Sequence, residues 1–292
     1  MDENLAQLIQ QAEQLFNEEK YKDIIELLTD ELLKQYNNAA LYAWRARAYS
    51  ALNEIEFTFL YADKAIEIDP SFPLSYFVRG NAWYEKKEYD KAINDHTKAI
   101  ALDEKYAYAY NNRGIAWADK KEYDKARYDF SNAIALDEKY AAAYNNRGLV
   151  QHDKKEYDKA INDYNKAIAL DEKYAVAYYN RALSFNAIQK FNEAKSDYEQ
   201  YIRLTNNSED YFSKVAQLNI IELDKKLADE WYKEISELIS KIKKLLLFEQ
   251  ACVTHYTGLS ASKAMILTKS KLRLSEGAFL NDTSEGKELF RY

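Results

Sequence analysis

The chain has 292 residues, with 47% hydrophobic, 30% charged, 2 Pro, 6 Gly and a formal net charge of −7. So little Pro and Gly excludes a turn-rich β architecture and favours long helices with short connections. The acidic excess lies in residues 1–240, since residues 241–292 hold 9 Lys and Arg against 5 Asp and Glu; an acidic body repels phosphate and argues against nucleic acid as the partner.

Cys252 is the single cysteine, so no internal disulfide forms, as suits a reducing compartment. The opening "MDENLAQLIQ" lacks a basic n-region and an apolar h-region, and "LLLF" at 245–248 is too short to span a bilayer. The expectation is a cytoplasmic protein without membrane insertion.

In chain order, an amphipathic start leads into six units of one period, at 5–38, 39–72, 73–106, 107–140, 141–174 and 175–208. The first two are the most diverged. Residues 107–140 and 141–174 match at 24 of 34 positions without a gap, and such a fixed period signals a repeat architecture. Each unit holds two helical stripes. In 107–140 the first carries Tyr110, Arg113, Gly114 and Trp117; the second carries Tyr123, Ala126, Phe130, Ala133 and Ile134. The polar turn "DKKEYD" joins them. Gly80, Gly114, Gly148 and Ala46 stand where paired helices approach, opposite Ala92, Ala126, Ala160 and Ala194, with Phe130 and Tyr164 filling the gaps. His96 takes such a packing position. Residues 209–250 continue as helix: Phe212, Val215 and Ala216 suit a seventh leading helix, and Trp231, Ile235, Leu238, Ile239 and Ile242 a long helix capping the stack.

The spacing Tyr110, Arg113-Gly114, Trp117, Ala126, Phe130, Ala133 resembles the tetratricopeptide repeat family. The family's closing Pro is kept as Pro70 and replaced by Glu104, Glu138 and Glu172, so looser turns are expected there. Arg45, Arg79, Arg113, Arg147 and Arg181 occupy a position that is usually Leu, and their stems are expected between helices with the heads at the edge. The resemblance implies an all-α, right-handed superhelical solenoid of helix hairpins whose first helices line a concave channel. The second Asn of "YNNRG" then faces that channel. Asn112, Asn146 and Asn180 would hold the backbone of an extended peptide, each carboxamide offering donors and acceptors. Tyr108, Trp44, Phe77, Tyr84 and Arg47 would contact its side chains. A family variant that clamps a C-terminal carboxylate needs a Lys where this chain has Leu74, Tyr108 or Ala142, and an Arg where it has Asn or Val78, so that clamp is not expected.

From 251 to 292 the 34-residue echo is lost. His255-Tyr256-Thr257, Leu272-Arg273-Leu274-Ser275 and Asn281-Asp282 through Ser284-Glu285-Gly286 resemble the opening of an uncharacterised bacterial domain family, and more distantly the first strand of ADP-ribosyltransferase folds. That resemblance implies an alternative role, an effector whose solenoid delivers a transferase domain of which this chain holds the start. "SASK" at 260–263 matches a nucleophile pattern without its companion motifs. His96, His152 and His255 lack metal-ligand spacing, and "KIKK" at 241–244 reads as a solvated helix end. The sequence therefore points to an interaction scaffold that binds an extended peptide or a partner helix in the channel, with no catalytic residue, metal or cofactor assigned and with self-association open.

Overall fold

The computed structural model describes residues 3–206 and 211–253, with side chains as far as residue 244. The resemblances placed on 254–292, and "SASK" with them, lie outside the described residues. Among the described residues every regular element is a helix. The chain divides into two units, Met1–Leu227 and Ala228–Tyr292.

In the first unit, five antiparallel hairpins follow one another. They are α4 (Ala39–Ala51) with α5 (Ile55–Ile68), α6 (Pro73–Glu85) with α7 (Tyr89–Leu102), α8 (Ala107–Asp119) with α9 (Tyr123–Leu136), α10 (Ala141–Asp153) with α11 (Tyr157–Leu170), and α12 (Ala175–Ala187) with α13 (Phe191–Leu204). Before them run α1 (Glu3–Asn17), α2 (Tyr21–Leu27) and α3 (Asp30–Tyr36). Here the trailing helix is in two pieces. Thr29 has extended backbone, and its hydroxyl accepts from the Leu32 N–H, restarting the helix at Asp30. After the last hairpin comes α14 (Tyr211–Val253), a single long helix. Within the first unit it buries Ser213, Ala216 and Leu223. Its remaining stretch, 228–253 in the second unit, exposes Trp231 and Tyr232.

The close approach inside a hairpin rests on missing side chains. A Cβ at Gly114 would stand 2.7 Å from the Phe130 ring, and one at Gly148 the same distance from Tyr164. Phe130 and Tyr164 are accordingly buried. The hairpin turns repeat a left-handed residue at Asn53, Lys87, Lys121, Lys155 and Gln189. Between hairpins, the turns without proline are not looser. Asp103, Asp137 and Asp171 accept from the N–H two residues on, at 2.9–3.0 Å, as Asp69 does for Ser71. Their backbone angles match those of Asp69 beside Pro70. The aspartate side chain closes the turn that proline would stiffen.

Each arginine of the signature is engaged rather than set at a solvated edge. Arg79, Arg113, Arg147 and Arg181 bind Asp95, Asp129, Asp163 and Asp197 on the second helix of their own hairpin, through paired contacts of 2.7–2.9 Å. A third N–H reaches the preceding hairpin's second helix, at Asp63, Thr97, Ser131 and Asn165 respectively. These aspartates are buried, and the planar fork of Arg suits such two-oxygen recognition. One guanidinium thus joins three helices. In α4 the partner position is Tyr61, so Arg45 lies over that ring at 4.5 Å and pairs with Asp30.

Successive first helices pack on one another, α4 on α6, α6 on α8, α8 on α10 and α10 on α12. Among the described residues, successive second helices make no comparable approach. The stack therefore curves toward its first helices, which form the inner face.

Candidate functional site

The inner face carries a continuous chain of carboxamide hydrogen bonds. Asn180 Nδ2 donates to Asn145 Oδ1 at 3.0 Å, Asn145 to Asn146 at 3.3 Å, and Asn146 to Asn111 at 3.0 Å. Asn111 then donates to Asn112 at 3.0 Å, and Asn112 to Asn81 at 2.8 Å. The doublet is thus self-complementary. Its second Asn reaches back to the first Asn of the preceding hairpin, and its first Asn donates within its own helix. The ladder starts at Asn180 because Tyr179 replaces the first Asn. It ends at Asn81 because Phe77 and Val78 replace the preceding doublet.

An Asn side chain has two N–H donors and two acceptor lone pairs. Asn112 and Asn146 each use one of each in the ladder and are half-buried, leaving one N–H and one lone pair. Asn180 is only 8% exposed, so its role is mainly to anchor the ladder. Sequence reasoning missed the buried partners Asn111 and Asn145; the recurrence of the whole doublet, not of one Asn, was their signal.

Two of the expected aromatic contacts are not available. Trp44, 7% exposed, is covered by Phe16 of α1, with ring centroids 5.9 Å apart. Phe77, 6% exposed, packs between His96 and Tyr106. In a 34-residue register its place is that of Asn111, not of Asn112, which puts it in the joint between hairpins. Tyr108 is 49% exposed and leans on Tyr140. Tyr84 donates its hydroxyl to Asp119 at 2.6 Å; burial, then this bond, pushes its ionisation above the ordinary tyrosine range. Asn112 and Tyr84 meet in one cavity of about 290 Å³, with Asn81, Glu85 and Ile115. Arg47 lies over the Phe16 ring at 4.0 Å and the Trp44 ring at 4.9 Å, and burial lowers its pKa from the ordinary arginine value. Further along, His152 Nδ1 is 2.8 Å from Ser184 Oγ, and burial holds the imidazole below its ordinary pKa. Among the described residues no group of three His, Cys, Asp or Glu could hold a metal ion. No described helix is long and apolar enough to cross a membrane.

Comparison with known families matches the repeated part of the chain. The model described as tetratricopeptide repeat matches residues 141–174 and 175–208, and that described as TPR repeat matches 80–120 and 116–155. Residues 80–208 carry tetratricopeptide repeats. Its array is similar in fold to pilF of Pseudomonas aeruginosa, with a TM-score of 0.59 at 21% identity over 66% of this chain and 85% of that one. It also matches YrrB, described as a TPR protein with an unusual peptide-binding site, with a TM-score of 0.50 at 20% identity over 65% and 97% of the two chains. Among curated proteins, Hsp70-Hsp90 organizing protein 3 of Arabidopsis thaliana is 32% identical over 81 residues. That match covers 28% of this chain and 14% of the relative's length.

Proposed function

We propose that the tetratricopeptide array is an interaction scaffold that holds an extended peptide segment of a partner protein against its inner face. The observation that carries this reading is the ladder. It fixes the carboxamides of Asn112 and Asn146 in place and leaves each with one donor and one acceptor. A peptide backbone offers one N–H and one C=O per residue, which is what such a pair of free positions complements. Because the amides are held by one another, little side-chain entropy is lost when a guest binds. Tyr108, exposed beside the ladder, supplies apolar contact. The similarity to an Hsp70-Hsp90 organizing protein supports a protein partner.

The test is selection of random 12-residue peptides displayed against the full-length chain, followed by binding of the winners to an Asn112→Ala/Asn146→Ala variant. Binding is expected to weaken by about tenfold or more, as for loss of one or two good hydrogen bonds. Unfolding free energy should fall by about 2–4 kcal/mol, because the buried Asn111 and Asn145 lose partners, so melting curves must show the variant folded at the assay temperature. Undiminished binding would remove the ladder from the role.

A further inference from the structure

Of the six arginines on the first helices, Arg45, Arg79, Arg113, Arg147 and Arg181 each bind a carboxylate. Among the described residues Arg47 has none. It is half-buried, with its guanidinium stacked on Phe16 and Trp44. Glu13 and the tyrosines Tyr21, Tyr106 and Tyr108 lie within electrostatic reach, yet no ion pair forms. A half-buried guanidinium without a direct ion-pair partner gains from a carboxylate that meets its N–H groups.

Its position says where that something would sit. Arg47, Asn81, Ile115 and Leu149 share one place in successive units, 34 residues apart. Asn81 and Ile115 line the cavity at the end of the ladder, so this row continues the inner face past Asn81 to Arg47. Along the same face Glu85, Asp119 and Asp153 recur at one place in their units and are exposed. They disfavour an acidic guest residue along that part of the face.

We infer that Arg47 is an anchor for a single Asp or Glu side chain of the peptide guest, fixing which way and in what register that guest lies. The Phe16 and Trp44 contacts are with ring faces, which leaves the guanidinium N–H groups for a planar two-oxygen acceptor. A phosphate group carries nearly twice the charge, and the net charge of −7 disfavours it. The inference rests on the proposed peptide-binding reading, and the following experiment separates the two.

Random 12-residue peptides displayed with both ends fused, and a second library with a free C-terminus, are selected on the full-length protein. Selections on Arg47→Gln and Arg47→Glu chains run in parallel, with melting curves to show that each is folded. The wild type is expected to enrich one acidic position in the doubly fused library. That position should become neutral with Arg47→Gln and basic with Arg47→Glu. In the winning peptide, Glu→Gln should weaken binding to wild type by about tenfold and leave binding to Arg47→Gln unchanged. Peptides without a fixed acidic position, or the same acidic position on Arg47→Gln, would overturn the anchor while the groove reading stands. Enrichment confined to free C-termini would make the acceptor a terminal carboxylate and overturn the side-chain assignment. Failure to recover any peptide would sink the groove reading and the anchor with it.

Discussion

His96 fills the slot that Phe130, Tyr164 and Tyr198 fill in the later hairpins, one 34-residue step apart. Its ring lies 2.7 Å from where a Cβ on Gly80 would stand, the distance Phe130 shows at Gly114. It is fully buried, and neither ring nitrogen has a hydrogen-bond partner among the described residues. Burial, with Arg113 contributing, pushes the imidazole down to about 3 from an ordinary 6.5. The native state therefore keeps His96 neutral while the unfolded chain protonates it below about pH 6.5. The stability this group leaves intact above pH 6.5 is lost as pH falls through 6.5 toward 3, by up to about 2 kcal/mol between pH 7 and pH 5. His96→Phe should raise the Tm at pH 7 by removing two unpaired nitrogens, and should flatten the Tm decrease between pH 7 and pH 5. Melting curves of both proteins at the two pH values check it; an equal acid loss in the variant would remove His96 as the cause. The packing position of His96 was legible from its column of aromatic counterparts. Its unpaired nitrogens were not, because a period reveals which residues are equivalent and not which atoms meet.

At the scale of the helix, the arginine forks show the same limit. Arg113 and Asp129 recur as columns sixteen residues apart, visible in any alignment of the units. Yet the long arginine stem permits a solvated head as readily as a buried fork, and only the packing of α8 on α9 decides. The burial of Trp44 was likewise hidden, because it depends on α1, whose unit has diverged and whose trailing helix breaks before Thr29. The helices themselves were readable because each stripe holds its 3.6-residue period over three or more turns. The fork supplies an element-scale prediction. Asp129→Ala should cost about 3 kcal/mol in urea unfolding, since it strands a half-buried guanidinium. The double change Arg113→Met/Asp129→Leu should recover most of that loss, because apolar side chains of similar size need no partner. A single-variant cost below about 1 kcal/mol would show that the fork does not hold the hairpin.

For the array as a whole, stability in a repeat protein is close to a sum over units and their interfaces, and here the interface chemistry is nearly the same from unit to unit. Consider a second copy of residues 107–140 inserted directly after Tyr140. At the new joint the inserted Asn112 can donate to the original Asn111, as Asn146 does. The inserted Arg113 can reach Ser131, as Arg147 does, and the inserted Lys120 can reach Asp124, as Lys154 does. Each of these polar cross-unit partners is therefore supplied by residues already present, while Ala116 and Trp117 take the buried places of Val150 and Gln151; the joint to residues 141–174 is unaltered. The inserted unit meets the polypeptide at the same inter-unit turn, closed by Asp137 as before. The lengthened chain should fold with a Tm higher by about 2–4 °C for each kcal/mol the added interface contributes. Its urea m-value should grow with the extra surface buried. An unchanged or lower Tm would mean that the joints depend on the particular neighbours they have now. The ladder, the forks and the lysine links would then be specific to each joint rather than one repeated device.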